Sequence, residues 1–245
     1  MEIRIGIARI PKHGAEISGD SCDIVERPRG GVSAILAEGQ GSGRTSHQIS
    51  RLAVNKATAL ITDGTTDSSV AKAVHEQLYD MAERRASSTL TILSADLESE
   101  TLVISRNSHC PVIIWTEDYE TVYDDEASPI GINRHLKTQF YELPFSPGML
   151  AVTYTDGITA AGHKHGGSPL DFDRILGIIR ENPAADAEYI ARSIVEYALA
   201  LDDEIASDDM TVVVLGITSE TPPGPGIETM SVAYPYESGA EAPEG

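Results

Sequence analysis

The sequence predicts an α+β fold of antiparallel sheets with helices outside them, for three reasons. Segments of alternating or β-branched character come in runs, helical spacing comes in two pairs, and the strand–helix–strand alternation that builds a doubly wound parallel sheet is missing. In chain order, strand character marks 2–9, 22–27 and 31–37. After a glycine-rich stretch, apolar residues recur at helical spacing in 44–62 (Ile49, Leu52, Ala53, Ala57, Leu60) and in 67–84 (Val70, Val74, Leu78, Met81), with cap residues between them in TTDSS. Strand runs resume at 88–95, 101–105, 111–116, 119–123, 137–143 and 149–155. A second pair of helices is marked at 170–180 (Phe172, Ile175, Leu176, Ile179) and 184–201 (Ile190, Ile194, Ala198, Leu201), and a last strand at 210–217.

The 245 residues suffice for one good-sized core. From 218 onward the chain holds five prolines, five glutamates and no basic residue, which predicts a disordered acidic tail over 218–245 behind a domain of 1–217. With 38 acidic against 18 basic residues the net charge is −20, which argues against nucleic acid or an anionic membrane as a general partner. Two cysteines, Cys22 and Cys110, make no disulfide framework, so a reducing cytoplasm is the expected compartment. The N-terminus has no signal-peptide core, and no apolar run approaches the ~20 residues of a membrane span.

The stretch AILAEGQGSGRTSHQ (34–48) ends an apolar strand on Glu38 and enters a helix through Gly39, Gly41 and Gly43. It is not a dinucleotide fingerprint, because Arg44 or Ser46 stands where the third glycine belongs, and no phosphate-loop G-K-[ST] is present. A cation explains it better. Just upstream, PRG is a three-residue hairpin loop with glycine in the left-handed position. Pairing Arg27 with Gly31 and counting outward places Asp20 opposite Glu38, with Cβ atoms about 4.5–5.5 Å apart. Two facing carboxylates repel unless a cation relieves them; the alternative is that both point into water at a fraying strand end. Two more acidic sites favour the cation. YTDG ends a strand on Asp156, and SDDMTVVVL puts Asp208 and Asp209 just before a strand. If those strands are antiparallel neighbours, Asp20, Glu38, Asp156 and Asp208 converge at one sheet edge, and such oxygen-rich clusters suit Mg²⁺ or Mn²⁺.

In this order, SGD, the acidic-Gly loop, YTDG and DDMTVVVL resemble the metal-dependent type 2C serine/threonine protein phosphatases, and more closely the bacterial branch named for the sporulation stage II E phosphatase. SRNSHCPVIIW (105–115) and SPIGI (128–132) match that branch's central segments, and the likeness runs from about residue 14 to 217. The resemblance implies a four-layer αββα sandwich of two antiparallel sheets flanked by helix pairs, and a site for two Mn²⁺ or Mg²⁺ ions. It implies that Glu38 takes the place of the bridging aspartate, that the Gly39 carbonyl completes one metal's shell, and that Asp156 and Asp208 hold the other metal. Asp20 would ligate directly or through water, and Asp209 would support. No protein nucleophile is implied. Where some relatives carry a histidine that can protonate the leaving group, this chain has Gln40, so a bound water would serve.

Several residues are set apart from this site. His163 and His165 read as loop histidines, His109 with Asn107 as the stabiliser of a turn before strand 111–116, and Trp115 and Cys110 as core. Lys12, His13 and Arg44 lie near the proposed edge. The expected function is hydrolysis of phosphoserine or phosphothreonine on a bacterial regulatory protein. The length leaves no room for a sensor domain, which resembles the stand-alone feedback phosphatases of stress signalling and sigma-factor regulation, whose substrates are phosphorylated STAS-domain proteins. The alternatives are a pseudophosphatase binding module with turnover weakened or lost through Glu38, whose extra methylene moves the carboxylate by roughly 1.5 Å, and hydrolysis of a small phosphorylated metabolite.

Overall fold

In the computed structural model, which describes residues 1–81, 86–163 and 168–218, every run read as a strand forms one. They are β1 (Glu2–Ile10), β2 (Asp20–Glu26), β3 (Gly31–Glu38), β4 (Leu90–Asp96), β5 (Thr101–Asn107), β6 (Val112–Trp115), β7 (Glu120–Tyr123), β8 (Gln139–Pro144), β9 (Leu150–Tyr154) and β10 (Met210–Thr218). The helices are α1 (Gly43–Thr62), α2 (Asp67–Asp80), α3 (Asp156–Ala160), α4 (Phe172–Arg180) and α5 (Ala187–Leu201). Helix α3, with five residues, is too short for a periodicity to announce it. The start of α4 is fixed by the Asp171 side chain, which accepts from the Asp173 N–H at 3.0 Å. A 3₁₀ turn at Ala184–Asp186 takes up the first residues of the expected last helix. The final residues expected for the second helix (82–84), His165, and the expected tail from 219 onward lie outside the described residues.

The strands build two antiparallel five-stranded sheets, ordered β1-β10-β9-β6-β7 and β2-β3-β4-β5-β8. Alternation along each strand divides the apolar residues among three layers. Ala34 and Leu36 of β3 and Leu93 and Ala95 of β4 meet Val112, Ile114, Val213 and Leu215 between the sheets. On the outer face of the second sheet, Ile35, Ala37, Leu90 and Ile92 pack against α1 and α2 through Ala53, Ala57, Val70 and Val74. The outer face of the first sheet packs Val152, Val212 and Val214 against Ile175, Ile179, Ile190 and Ile194 of α4 and α5. The result is the αββα sandwich.

The close approach of α5 and of the 3₁₀ turn before it to their sheet depends on two glycines. A Cβ at Gly6 would lie 2.2 Å from the Ala187 carbonyl oxygen, and one at Gly216 2.2 Å from that of Ala184. Both clashes are with backbone, which cannot rotate away. Gly216→Ala is therefore expected to destabilise by about 1–3 kcal/mol, the usual cost of overpacking, or roughly 2–4 °C of Tm per kcal/mol in a chain of this size. Thermal unfolding followed by circular dichroism measures it, and an unchanged Tm would mean the helix can lift freely.

The Arg27 N–H donates to the Gly31 carbonyl at 2.9 Å and the Gly30 N–H to the Arg27 carbonyl at 3.0 Å, closing the three-residue hairpin. Gly30 and Gly31 have φ of 96° and 101°, which only glycine adopts without strain. With the turn fixed, the register follows, and Asp20 stands opposite Glu38. β9 and β10 are antiparallel neighbours, so the end of one and the start of the other share an edge.

Candidate metal centre

At this edge the two sheets are tied together through Asp20. It is 2% exposed, and its Oδ2 accepts from the hydroxyl of Thr155, just after β9, at 2.8 Å and from that of Thr211 in β10 at 2.7 Å. The Thr211 N–H in turn donates to Thr155 Oγ1 at 3.0 Å. Burial pushes the Asp20 carboxyl up to about 7; the Thr211 and Thr155 hydroxyls pull it back, while the negative charges of Asp209 and Asp156 add to the rise.

Glu38 is held firmly by its backbone. Its N–H donates to Thr89 Oγ1 at 3.1 Å, and its carbonyl accepts from the Thr89 N–H at 2.9 Å and the Ser88 hydroxyl at 2.7 Å. Gly39 lies directly under α1, where a Cβ would be 1.9 Å from the Ser46 carbonyl oxygen. The Glu38 carboxyl is pushed up as well, by burial first and then by the charges of Asp156 and Asp20. Its Oε2 atom is buried without a hydrogen-bond partner. A buried carboxylate oxygen left unpaired is costly unless something positive or a donor reaches it.

Asp156 opens α3 and is followed by Gly157, whose hypothetical Cβ would lie 2.0 Å from the Asp209 carbonyl oxygen, so α3 starts against the beginning of β10. Carboxylate oxygens of Glu38 and Asp156 and a ring nitrogen of His109 all lie within 4.8 Å of one another. His109 Nε2 is 3.6 Å from Asp156 Oδ2, and the facing carboxylate is the main reason the imidazole is pushed up to about 10. Asp20 and Asp208 are not in this three-residue group. The Asp208 carboxylate accepts from the Asp209 N–H at 3.1 Å. Asp209 spends both oxygens on the 12–19 loop, accepting from the Lys12 N–H at 3.0 Å and the Gly19 N–H at 2.8 Å. Arg44 pairs with Glu16 in the open, and the Gln40 side-chain oxygen accepts from the Ser87 hydroxyl.

His109 is the residue that sequence reasoning assigned differently. Asn107 does hold loop backbone, donating to the carbonyls of Ser128 at 3.0 Å and Lys137 at 3.1 Å. His109 instead turns to the acidic edge. The β6–β9 pairing explains why: it ends at Val112 and Thr153, so the loop before β6 lies beside the start of α3 and His109 reaches Asp156. That pairing joins strands distant in sequence, so no local pattern announces it.

The fit of this site to a divalent cation rests on Glu38 Oε2, a buried acceptor without a donor, beside a second carboxylate. Protonation then opposes metal binding in a predictable way. Between about pH 4 and 7 the folded chain keeps on Asp20 a proton that the unfolded chain has lost, so metal-free stability falls as pH rises through that window. Binding must displace such protons, so the stabilisation by Mn²⁺ is expected to grow with pH. At a hundredfold excess over Kd it amounts to roughly 2.7 kcal/mol. Melting curves at pH 6 and pH 8, with and without Mn²⁺, test this. A larger gain at pH 6, or none at either pH, would contradict it.

The sandwich is the fold of the type 2C phosphatases. It superposes with a TM-score of 0.74 on the PP2C phosphatase domain, solved with a fragment of the regulatory domain, of SpoIIE from Bacillus subtilis, at 23% identity over 89% of this chain and 64% of that one. It superposes with a TM-score of 0.69 on RsbX in complex with magnesium, at 15% identity over 88% and 96% of the two chains. In sequence, residues 28–218 match the family model of Stage II sporulation protein E (SpoIIE), and the chain belongs to that family. Stage II sporulation protein E of Priestia megaterium is 24% identical over 218 residues, covering 89% of this chain; the chain spans 37% of that relative's length.

Proposed function

We propose that this chain is a metal-dependent protein serine/threonine phosphatase. The observation that carries the reading is the meeting of Glu38 and Asp156 around a buried, unpartnered carboxylate oxygen, in a fold shared with phosphatase domains. That RsbX, which shares the fold, was solved in complex with magnesium supports a divalent ion for this chain. Glu38 and Asp156 would hold it, with the Gly39 carbonyl and Asp208 beside them and Asp20 adjacent; two ions of Mn²⁺ or Mg²⁺ agree with the number of carboxylates. When bound, such ions polarise the phosphate and lower the pKa of water.

The remaining work falls to the chain's own groups and is chiefly positioning, as phosphoryl transfer requires. Asp20 locks Thr155 and Thr211 and so fixes the step from β9 into α3 that aims Asp156. Asp209 holds the 12–19 loop against β10 and keeps Asp20 at its place in β2. No side-chain nucleophile is required, and Gln40, already engaged with Ser87, is not positioned as a proton donor. Asp156 and His109 are about half exposed, so the site is open to a phosphorylated residue carried on another protein. A phosphorylated regulatory protein of the STAS-domain type is the proposed substrate and partner. Among the described residues, no helix is long and apolar enough to cross a membrane.

The test compares kcat/KM for a phosphoserine-bearing STAS-domain protein and for small phosphorylated metabolites, with Mn²⁺, with Mg²⁺ and with chelator. A preference for the phosphoprotein of at least a hundredfold, lost in chelator, is the expected result. Equal or better hydrolysis of a metabolite would overturn the substrate assignment.

A further inference from the structure

We infer that His109 is itself a metal ligand, forming with Glu38 and Asp156 a centre of two carboxylates and one imidazole that prefers Mn²⁺ to Mg²⁺. The inference rests on the metal reading of the site given above and adds to it a nitrogen donor that an all-carboxylate edge lacks. Three observations support it. A ring nitrogen of His109 and carboxylate oxygens of Glu38 and Asp156 lie within 4.8 Å of one another, a spread that a single ion can close with small side-chain rotations. The β6–β9 pairing, which ends at Val112 and Thr153, brings the segment before β6 beside the segment after β9, and His109 Nε2 comes within 3.6 Å of Asp156 Oδ2.

The third observation concerns the backbone on either side of the histidine. Arg106 is fully buried. Its guanidinium donates to the carbonyls of Ser108 and Cys110, the residues flanking His109, and to that of Asp125. The Cys110 N–H also donates to Ser108 Oγ at 3.1 Å. A buried cation placed on main-chain carbonyls is an expensive way to hold an ordinary turn. Here it fixes the backbone on both sides of one imidazole at the acidic edge, and so holds that side chain in place for an ion.

The consequence is a choice of metal. Mg²⁺ favours oxygen ligands and retained waters, whereas imidazole raises affinity for the first-row transition ions. The competing role for His109, an imidazolium that touches substrate phosphate, predicts no metal–nitrogen bond. Electron spin-echo envelope modulation on the Mn²⁺-loaded protein separates the two, because a coordinated imidazole gives ¹⁴N modulation. The wild type is expected to show it and His109→Ala to lose it. By calorimetry, His109→Ala should weaken Mn²⁺ binding at least tenfold and Mg²⁺ binding less than threefold. His109→Asp, which restores an oxygen donor, should recover Mg²⁺ binding but not the modulation. The imidazole is half exposed, so both variants should fold, which their metal-free Tm checks. Bound Mn²⁺ without ¹⁴N modulation in the wild type, or modulation that persists in His109→Ala, overturns the assignment of His109 alone. Failure of the wild type to bind Mn²⁺ at all overturns the metal reading of the whole site.

Discussion

Asp156→Asn is expected to lower metal-dependent turnover by at least a hundredfold while leaving the fold intact. Asparagine keeps the shape of the side chain and is tolerated at the first turn of a helix, so α3 and the Thr155–Asp20–Thr211 tie should survive. What goes is a charge at the place where β9 ends and the His109 and Glu38 groups meet. A hundredfold loss corresponds to about 2.7 kcal/mol of transition-state stabilisation, a modest demand on one charged ligand. Removing the charge also relieves repulsion on Asp20 and Glu38, both of which feel it. The loss of the pair with His109 opposes that relief, so the metal-free variant should melt close to the wild-type temperature. Steady-state kinetics in Mn²⁺ and a metal-free melting curve check both parts; turnover within threefold of wild type would remove Asp156 from the site.

Glu38→Asp is expected to raise Mn²⁺-dependent kcat/KM tenfold or more. The resemblance implies a bridging position built for aspartate, and the strand cannot move to absorb the longer side chain. Its N–H and carbonyl are fixed to Thr89 and Ser88, and Gly39 is wedged beneath Ser46. The extra methylene is therefore carried by the carboxylate, which moves outward by roughly 1.5 Å. A gain of about 1.4 kcal/mol in transition-state placement is enough for tenfold. Glu38→Ala should lose metal at one position at least, read by calorimetry. If Glu38→Asp is slower than the natural chain, the site has been rebuilt around glutamate. If all three forms are inert yet bind a phosphoprotein partner equally well, the chain acts as a pseudophosphatase.

The parts legible in the sequence were those decided by local physics. The PRG turn fixes its own register, so Asp20 and Glu38 could be paired by counting. Burial on both faces makes the central strands continuous apolar or β-branched runs and leaves alternation to the more exposed ones, and all ten strands were legible from one signal or the other. The parts that were not legible depend on contacts between distant segments. His109 meets Asp156 only because β6 pairs with β9. Asp20 finds its hydroxyl partners at the edge of the opposite sheet, on Thr155 just after β9 and Thr211 in β10, 135 and 191 residues away. Arg106 falls on the same face of β5 as Leu102 and Ile104, where a charged side chain has no local explanation; it is fully buried with three main-chain carbonyls accepting from it. Helix α3 has too few residues to show a period.

The most direct measurement is p-nitrophenyl phosphate hydrolysis by the purified chain, first as dialysed against chelator and then after graded return of Mn²⁺. The chelated protein should be inactive, and activity should return along the same saturation curve as calorimetric Mn²⁺ binding. Full activity in saturating chelator, or Mn²⁺ binding with no activity at any occupancy, would contradict a metal-dependent phosphatase centred on Glu38 and Asp156.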